Sequence, residues 1–479
     1  VVRGPEGVWM ASRGGLSELL QGEISNYTVN NGLPYENLRC LLVDREGNIW
    51  IGTDGKGLLK FTGKAFETFT RSDGMAGDLV LAVEESKGGT LYFGTLQEGI
   101  VQLRNGVFSA VSMQDGLPNN TVWSLEMDRK GRLWAGTSVG LACIDDEEVR
   151  SFVADSTSPV NLPDYRITAV FEDRDGSIWV GHRAGVSMLD PNSLATVNYG
   201  LDEGFRGTHI RNIVQDADGM VWFAAENGLH RFDGERFTYY PINDRTNQGT
   251  KVYSLKLDER GTLWIGTENG LFYTDDKGTS FKDISLGSDS RADFINFLLI
   301  DEVQHLWVGT NYGIFELELD DFYENGPVSP KSHTYHEGIP NLECNLNAAY
   351  QDRNGNYWFG TGGGLLRLNV RFRENLNMQP PPELILYDIR LFQEQTDWKE
   401  YTNKTDPITG LPRELQLKHN KNHLTFSFIG INFSNPDFVR YKYKLDGFDE
   451  EWSPVGNNRF ATYSNLPPGE YTFKVLAMN

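Results

Sequence analysis

Residues 258–272 read DERGTLWIGTENGLF: an acid, a glycine turn, a tryptophan strand, a second glycine turn and the start of another strand. Near-copies recur along the chain. With Trp264 as the ruler, equivalent aromatics stand at Trp9, Trp50, Tyr92, Trp134, Trp179, Trp222, Trp307 and Trp358, in steps of 41 to 51 residues. A repeat of about 40–45 residues holding four short strands is the pattern of a propeller blade.

The neighbours of the aromatic repeat with it. Six residues earlier stands Asp44, Asp128, Asp173, Asp216, Asp258, Asp301 or Asp352. Three earlier stands Gly47, Gly89, Gly131, Gly176, Gly219, Gly261 or Gly355. An Asp bonds its own backbone two residues on and Gly supplies positive φ, so D-x-x-G is a hairpin turn. Gly-Thr follows the aromatic at 52–53, 94–95, 136–137, 266–267, 309–310 and 360–361. The departures are Ser86 with Tyr92, Ala224-Ala225 for Gly-Thr, and Gln304 for the turn glycine. The stretches KVYSLKLD, LWIG, LFYT and SFKDIS alternate as strands, and sustained helical periodicity is lacking, so helix should be scarce.

The 479 residues include 51 Gly and 12% aromatics, which suits dense turns and stacked sheets. No run of 18 apolar residues occurs, so nothing in the sequence reads as a membrane span. The net charge of −22 disfavours nonspecific binding to nucleic acid or anionic membranes, but a local Arg cluster can still hold an anionic ligand. Cys40, Cys143 and Cys344 form no C-x-x-C, and Cys40 and Cys344 read as small buried residues. DRDGS and DADGM lack the ligand set of a calcium loop, and His333 with His336 lacks a third ligand. No phosphate loop, G-x-S-x-G or H-E-x-x-H appears, so no cofactor, metal or catalytic residue is expected.

The repeat fails near residue 372. A proline-rich connector is read at 373–382, with Pro380, Pro381 and Pro382 stiff and extended. Longer strands follow over 383–479, in the pattern of an Ig-like or fibronectin-like β-sandwich whose last strand is missing. The fold class expected is therefore all-β. A propeller of seven four-stranded blades at 74–372 precedes the sandwich, and residues 1–73 supply two blades of an upstream ring. One ring of eight or nine blades is the rival reading.

DREGNIWIGTDGKGLLKF and its copies resemble the two-component regulator propeller repeat. YKYKLDGFDEEWSPVGNNRFATYSNLPPGEYTFKVLAMN is similar to the triple-tyrosine (Y_Y_Y) domain that follows such propellers. The resemblance implies the periplasmic sensor region of an inner-membrane signalling protein, working as a homodimer. A transmembrane helix and a histidine kinase or diguanylate cyclase would follow, and an oligosaccharide or other small extracellular ligand would bind. The fragment itself would not be an enzyme, and no nucleic acid would be a partner.

In a propeller the loops before each first strand, and those between second and third strands, share one face, the default ligand site of a rigid ring. The loops GLPYEN, GLPNNT, GFRGTHIRN and GIPNLECN converge there. The candidates are Asn119, Asn120, Trp123, Arg166, His209, Arg211, Tyr253, Asn296, Asn345 and Asn347. Arg offers forked donors for a carboxylate or sulfate, Asn and His suit hydroxyls, and an aromatic face stacks on a sugar. Asn after a proline loop is also an ordinary turn residue. The repeated Trp residues read as packing between blades, and Tyr441, Tyr443, Tyr463 and Tyr471 as core or ladder residues rather than a site. A glycan hydrolase or lyase, or a protein-binding scaffold, is the alternative function.

Overall fold

In seven repeats the aspartate carboxylate is bonded on both oxygens. Oδ1 accepts the backbone N–H groups two and four residues on, as in Asp258 with Arg260 (3.0 Å) and Thr262 (2.9 Å). Oδ2 accepts the indole Nε1–H of the tryptophan six residues on, at 2.8–3.0 Å in the pairs from Asp44–Trp50 to Asp352–Trp358. The turn residue takes a left-handed φ, from Gly47 (85°) to Gly355 (80°), and Gln304 adopts the same conformation at 59°. For Asp44 and Asp128 burial raises the carboxyl pKa, but the bonds from Trp50 or Trp134 and the turn outweigh it and hold the group below its usual range.

The computed structural model describes the chain apart from residues 5–6, 21, 29–32, 34, 62–65, 146–147, 154–157, 243–249, 288–289, 327–329, 334–342, 369–379, 408, 434–435, 437–438 and 479. His336, parts of the loops GLPYEN and GIPNLECN, and most of the 373–382 connector lie outside the described residues. The chain divides into two units, Lys64–Arg373 and Val1–Gly63 with Glu374–Asn479.

Lys64–Arg373 is a ring of seven four-stranded antiparallel blades. Their first strands are Val80–Glu85, Val122–Met127, Ile167–Glu172, Asn212–Gln215, Val252–Leu257, Ile295–Ile300 and Cys344–Gln351, numbered here as blades 1 to 7. Each first strand neighbours the next, and that of blade 7 neighbours that of blade 1. The fourth strand of blade 7 is Phe66–Phe69, which pairs with Gly364–Leu368. The repeat count starts the ring at residue 74. Phe66–Phe69 nevertheless belongs to it, because this strand, N-terminal to blade 1, completes the four-stranded sheet of blade 7 and so closes the ring.

The closing junction repeats the internal ones. The amide after the turn aspartate donates to a side chain of the next first strand: Arg129 to Glu172 (2.9 Å), Arg174 to Gln215 (2.8 Å) and Glu302 to Gln351 (3.1 Å). Arg353 does the same to Glu85 across blades 7 and 1 (2.9 Å). The Gly of Gly-Thr permits close approach of the next blade. A Cβ at Gly266 would meet Ile295 Cγ2 at 2.6 Å, and one at Gly360 would meet the Val80 carbonyl at 2.4 Å. The blade tryptophans from Trp134 to Trp358 are almost fully buried, packed as their spacing predicts.

Glu84, Glu126 and Lys256 occupy one register position, opposite the blade aromatic on first strands 1, 2 and 5. Each is only half-buried with respect to water, yet protein surrounds it closely. The first strands line the central channel of the ring. Desolvation therefore dominates. It pushes Glu84 to about 7 and Glu126, with Glu84 nearby, to about 8, and it lowers Lys256 against the pull of both carboxylates.

The second unit holds a four-stranded sheet over Val2–Tyr27, a three-stranded sheet over Leu38–Phe61, and a β-sandwich. In the sandwich, Glu383–Leu391, Leu424–Ile431 and Phe460–Tyr463 form one sheet and Arg440–Asp446 pairs with Thr472–Met478. Its core stacks Phe426 on Phe473 at 4.1 Å between ring centroids. Phe433 leaves the sandwich to meet Trp50 edge-on at 5.5 Å, and its N–H donates to Glu46 at 3.0 Å. Cys40 is exposed, against the expectation of burial, because its strand Leu38–Val43 lies at a sheet edge.

Two predictions follow from these contacts. Asp258→Ala leaves Trp264 Nε1–H and two turn amides without their acceptor and the Tyr323 hydroxyl with Thr262 Oγ1 alone. Equilibrium urea unfolding should show a loss of at least about 3 kcal/mol, against about 1–2 kcal/mol for Trp264→Phe. In the channel, raised glutamate pKa values mean the folded state binds more protons than the unfolded one between roughly pH 4.5 and 8. Stability from these groups is full below the unfolded value and is lost as pH rises through the folded ones. Lys256 contributes with the opposite sign. The double variant E84Q/E126Q should therefore gain on the parent chain at pH 8 and much less at pH 5, read as Tm against pH.

Candidate functional site

The mouth of the ring is built from a repeated pair. A residue at the start of a first strand is tied to the residue just after Gly-Thr on the same blade. Trp123 Nε1–H donates to Ser138 Oγ at 2.8 Å in blade 2. Arg211 pairs with Glu226 at 2.5 Å in blade 4, Lys251 with Glu268 at 3.0 Å in blade 5, and Asn296 bonds Asn311 at 2.7 Å in blade 6. These ties fix rotamers before any ligand arrives, which lowers the entropy cost of binding. The Thr hydroxyl holds each loop as well, as in Thr267 Oγ1 to the Gly270 carbonyl at 2.8 Å.

Blade 7 breaks the symmetry. Its first strand pairs Cys344 with Thr361 but Ala349 with Phe359, so a bulge carries residues 345–348 out of the ladder. Asn345 Nδ2 donates to the carbonyls of Val80 (2.8 Å) and Thr361 (3.2 Å). Asn347 lies in the left-handed region at φ 53°, and its Nδ2 reaches the carbonyls of Arg211 (2.8 Å) and Tyr253 (3.2 Å), on blades 4 and 5. Beside this bulge is a cavity of about 310 Å³ lined by Trp123, Arg211, Phe294, Asn296, Asn345 and Asn347, among others. Among the described residues, two buried polar atoms of this set have no partner, Arg211 Nε and Asn347 Oδ1, one donor and one acceptor.

Five segments of the chain, 32–55, 116–138, 161–184, 248–269 and 340–363, match the two component regulator propeller model, and residues 432–479 match the Y_Y_Y domain. The chain carries two component regulator propeller repeats and, over residues 432–479, a Y_Y_Y domain. Among solved structures it is similar to the extracellular domain of a B. thetaiotaomicron protein described as hybrid two component system BT3049, at 22% identity and a TM-score of 0.71. That match covers 98% of this chain and 64% of the other, so the chain spans less than two thirds of its relative. The extracellular domain of BT4673 from the same organism gives 20% identity and a TM-score of 0.53, over 98% of this chain and 65% of that one. A streptogramin B lyase, 15% identical with a TM-score of 0.52, covers 64% of this chain and 97% of its own. No curated protein matches the chain.

Of the residues predicted for the regulator propeller's mouth, Trp123, Arg211, Asn296, Asn345 and Asn347 line the cavity. Arg166 joins them by lying over the Trp123 ring, its guanidinium carbon 5.1 Å from the centroid. Tyr253 is buried, stacks on Phe294 at 5.0 Å and offers the cavity neighbourhood its backbone carbonyl. His209, at φ 50°, faces Glu226 at 3.4 Å. Asn119 and Asn120 spend their side-chain oxygens on the N–H groups of Thr121 (2.9 Å) and Met113 (2.8 Å), which is turn chemistry. The sequence reading passed over Ser138, Arg183, Glu226 and Asn311. Their signal was the variable residue following Gly-Thr or its equivalent, in a loop already assigned to this face.

In the Y_Y_Y domain the tyrosines are structural. Tyr441 and Tyr463 are buried; the Tyr441 hydroxyl accepts the Gly430 N–H (2.9 Å) and the Tyr463 hydroxyl donates to Asp449 (2.7 Å). Elsewhere, burial pushes the Cys344 thiol up to about 12 and Cys143 to about 11, and lowers His182 and His230 to about 4. His333 is buried against Glu316 at 3.0 Å and stacks on Trp307. No cluster of three metal-ligating side chains occurs among the described residues.

The left-handed φ of Asn347 separates its two roles. Asn347→Gly removes the amide but suits the backbone, whereas Asn347→Ala adds strain of about 1 kcal/mol. Both variants should lose stability in equilibrium unfolding, and Asn347→Ala should lose more by that amount.

Proposed function

We propose that this chain is the extracytoplasmic sensor region of a membrane-bound bacterial signalling protein of the hybrid two-component type. It binds an oligosaccharide at the mouth of the seven-bladed ring and passes the change through the Y_Y_Y domain to a cytoplasmic output module. The observation that carries the reading is the mouth itself: a cavity rimmed by Asn, Arg and Trp side chains already held in place, with one unused donor and one unused acceptor. A sugar hydroxyl both donates and accepts, so a pair of opposite orphans suits it. The cavity volume lies in the range of small-ligand sites.

The similar extracellular domains of hybrid two component systems support the sensor assignment and an extracytoplasmic location. No helix among the described residues is long and apolar enough to cross a membrane, and the anchor would lie in a downstream segment. Signalling requires that the ligand favour one arrangement of a homodimer over another, since equal affinity for both transmits nothing. The chain's own task is binding rather than turnover.

The test is a glycan panel read by thermal shift and calorimetry on the whole chain. A cognate oligosaccharide at 100 times its Kd should stabilise the ring by about 2.7 kcal/mol. Trp123→Ala should abolish that shift while leaving the unliganded fold intact by circular dichroism. Turnover of the glycan, or stabilisation by a protein partner with no response to any glycan, would overturn the reading.

A further inference from the structure

We propose that the ligand of this mouth carries an anionic group, a carboxylate or a sulfate, received by Arg166 and Arg183 on the blade 3 side. The inference rests on the sensor reading above and adds the ligand's charge to it.

The rim cations fall into two kinds. Arg211 is neutralised by Glu226, and Lys251 by Glu268. Arg166 and Arg183 are exposed, and among the described residues neither has a carboxylate in ion-pair contact or a side-chain hydrogen bond. Both belong to blade 3. Ile167 pairs with His182 in the ladder as Val122 pairs with Thr137, so Arg183 stands at the rim position that Ser138 holds in blade 2. Asp164 is the nearby acid. One of its oxygens accepts the backbone N–H of Arg166 at 2.9 Å, and its charge also acts on His182. Glu343 lines the cavity from the blade 7 side, three blades from blade 3 one way round the ring and four the other.

Arg166 is also held in a way that suits an anion. Its guanidinium lies over the Trp123 ring, and Trp123 lines the cavity. Stacking uses the π face of the guanidinium and leaves its in-plane N–H donors free. Those donors form the planar fork that matches two carboxylate or sulfate oxygens. Trp123, over which the guanidinium lies, is itself tied to Ser138. A neutral glycan would leave this fork unused.

The experiment compares charged and neutralised forms of the same sugar on the whole chain by calorimetry. One arm uses trigalacturonate and its methyl ester; the other uses chondroitin sulfate tetrasaccharide and its desulfated form. The expected result is that one anionic form binds at least tenfold more tightly than its neutral partner, with affinity falling as salt rises. Which arm responds identifies carboxylate or sulfate. Arg166→Ala should remove most of that tenfold preference and Arg183→Ala part of it. Arg166→Lys should restore only some, since a point charge lacks the fork. Both residues are exposed, and unchanged circular dichroism checks folding. Equal binding of charged and neutral forms, or a preference that survives both substitutions, overturns the proposal and leaves the sensor reading standing. Binding of neutral glycans alone does the same. Absence of binding by every glycan in the earlier panel would overturn both.

Discussion

The aspartate–tryptophan bond is the constraint on which the blades depend. A blade is a strongly twisted sheet whose second strand must bring a large ring to a fixed depth between its neighbours. The carboxylate fixes that depth from the turn. One oxygen closes the hairpin and the other holds the indole, so turn geometry and core packing are set by a single side chain. Asn would keep the first acceptor but present an N–H₂ group to the indole N–H. Blade 1 shows the logic by its exception. Tyr92 brings no indole donor, and the turn residue there is Ser86, whose single oxygen accepts the Thr90 N–H at 3.1 Å. The two departures therefore belong together: without the indole, a second acceptor has no use.

Much of this was legible in the sequence because repetition amplifies weak signals. One D-x-x-G is an ordinary turn, whereas its return with Trp and Gly-Thr at a constant period specifies a blade. The propeller, the sandwich and the scarcity of helix were read that way. The indole bond was missed because spacing shows that two residues recur together, not that they touch. The role of Phe66–Phe69 was missed for a related reason. Ring closure joins strands some 300 residues apart, and no local pattern marks a strand as belonging to a distant blade.

The mouth was legible in outline and not in detail. Loops that converge on one face can be placed by topology, and five of the ten nominated side chains do line the cavity. The pre-strand loops drew attention because a glycine-led cue recurs in them. Their partners one hairpin away, Ser138, Glu226 and Asn311, sit beside the most repetitive part of the motif and were hidden by it. Asn119 and Asn120 show the converse: an amide in a proline loop is often occupied by its own turn, and sequence does not say which oxygen is spent.

A ring of identical blades presents the same carbonyls and the same side chains around its axis, so it cannot orient a ligand that has no such symmetry. The bulge of blade 7 removes that degeneracy. It bonds Asn347 to the backbone of blades 4 and 5, beside a cavity lined by residues of blades 1, 2, 3, 4, 6 and 7. A molecule in that cavity touches a residue whose partners lie on the far half of the ring. Asn347 thus ties the bulge of blade 7 to the backbone of blades 4 and 5. A rigid propeller needs such a link if occupancy of a small pocket is to be felt beyond it.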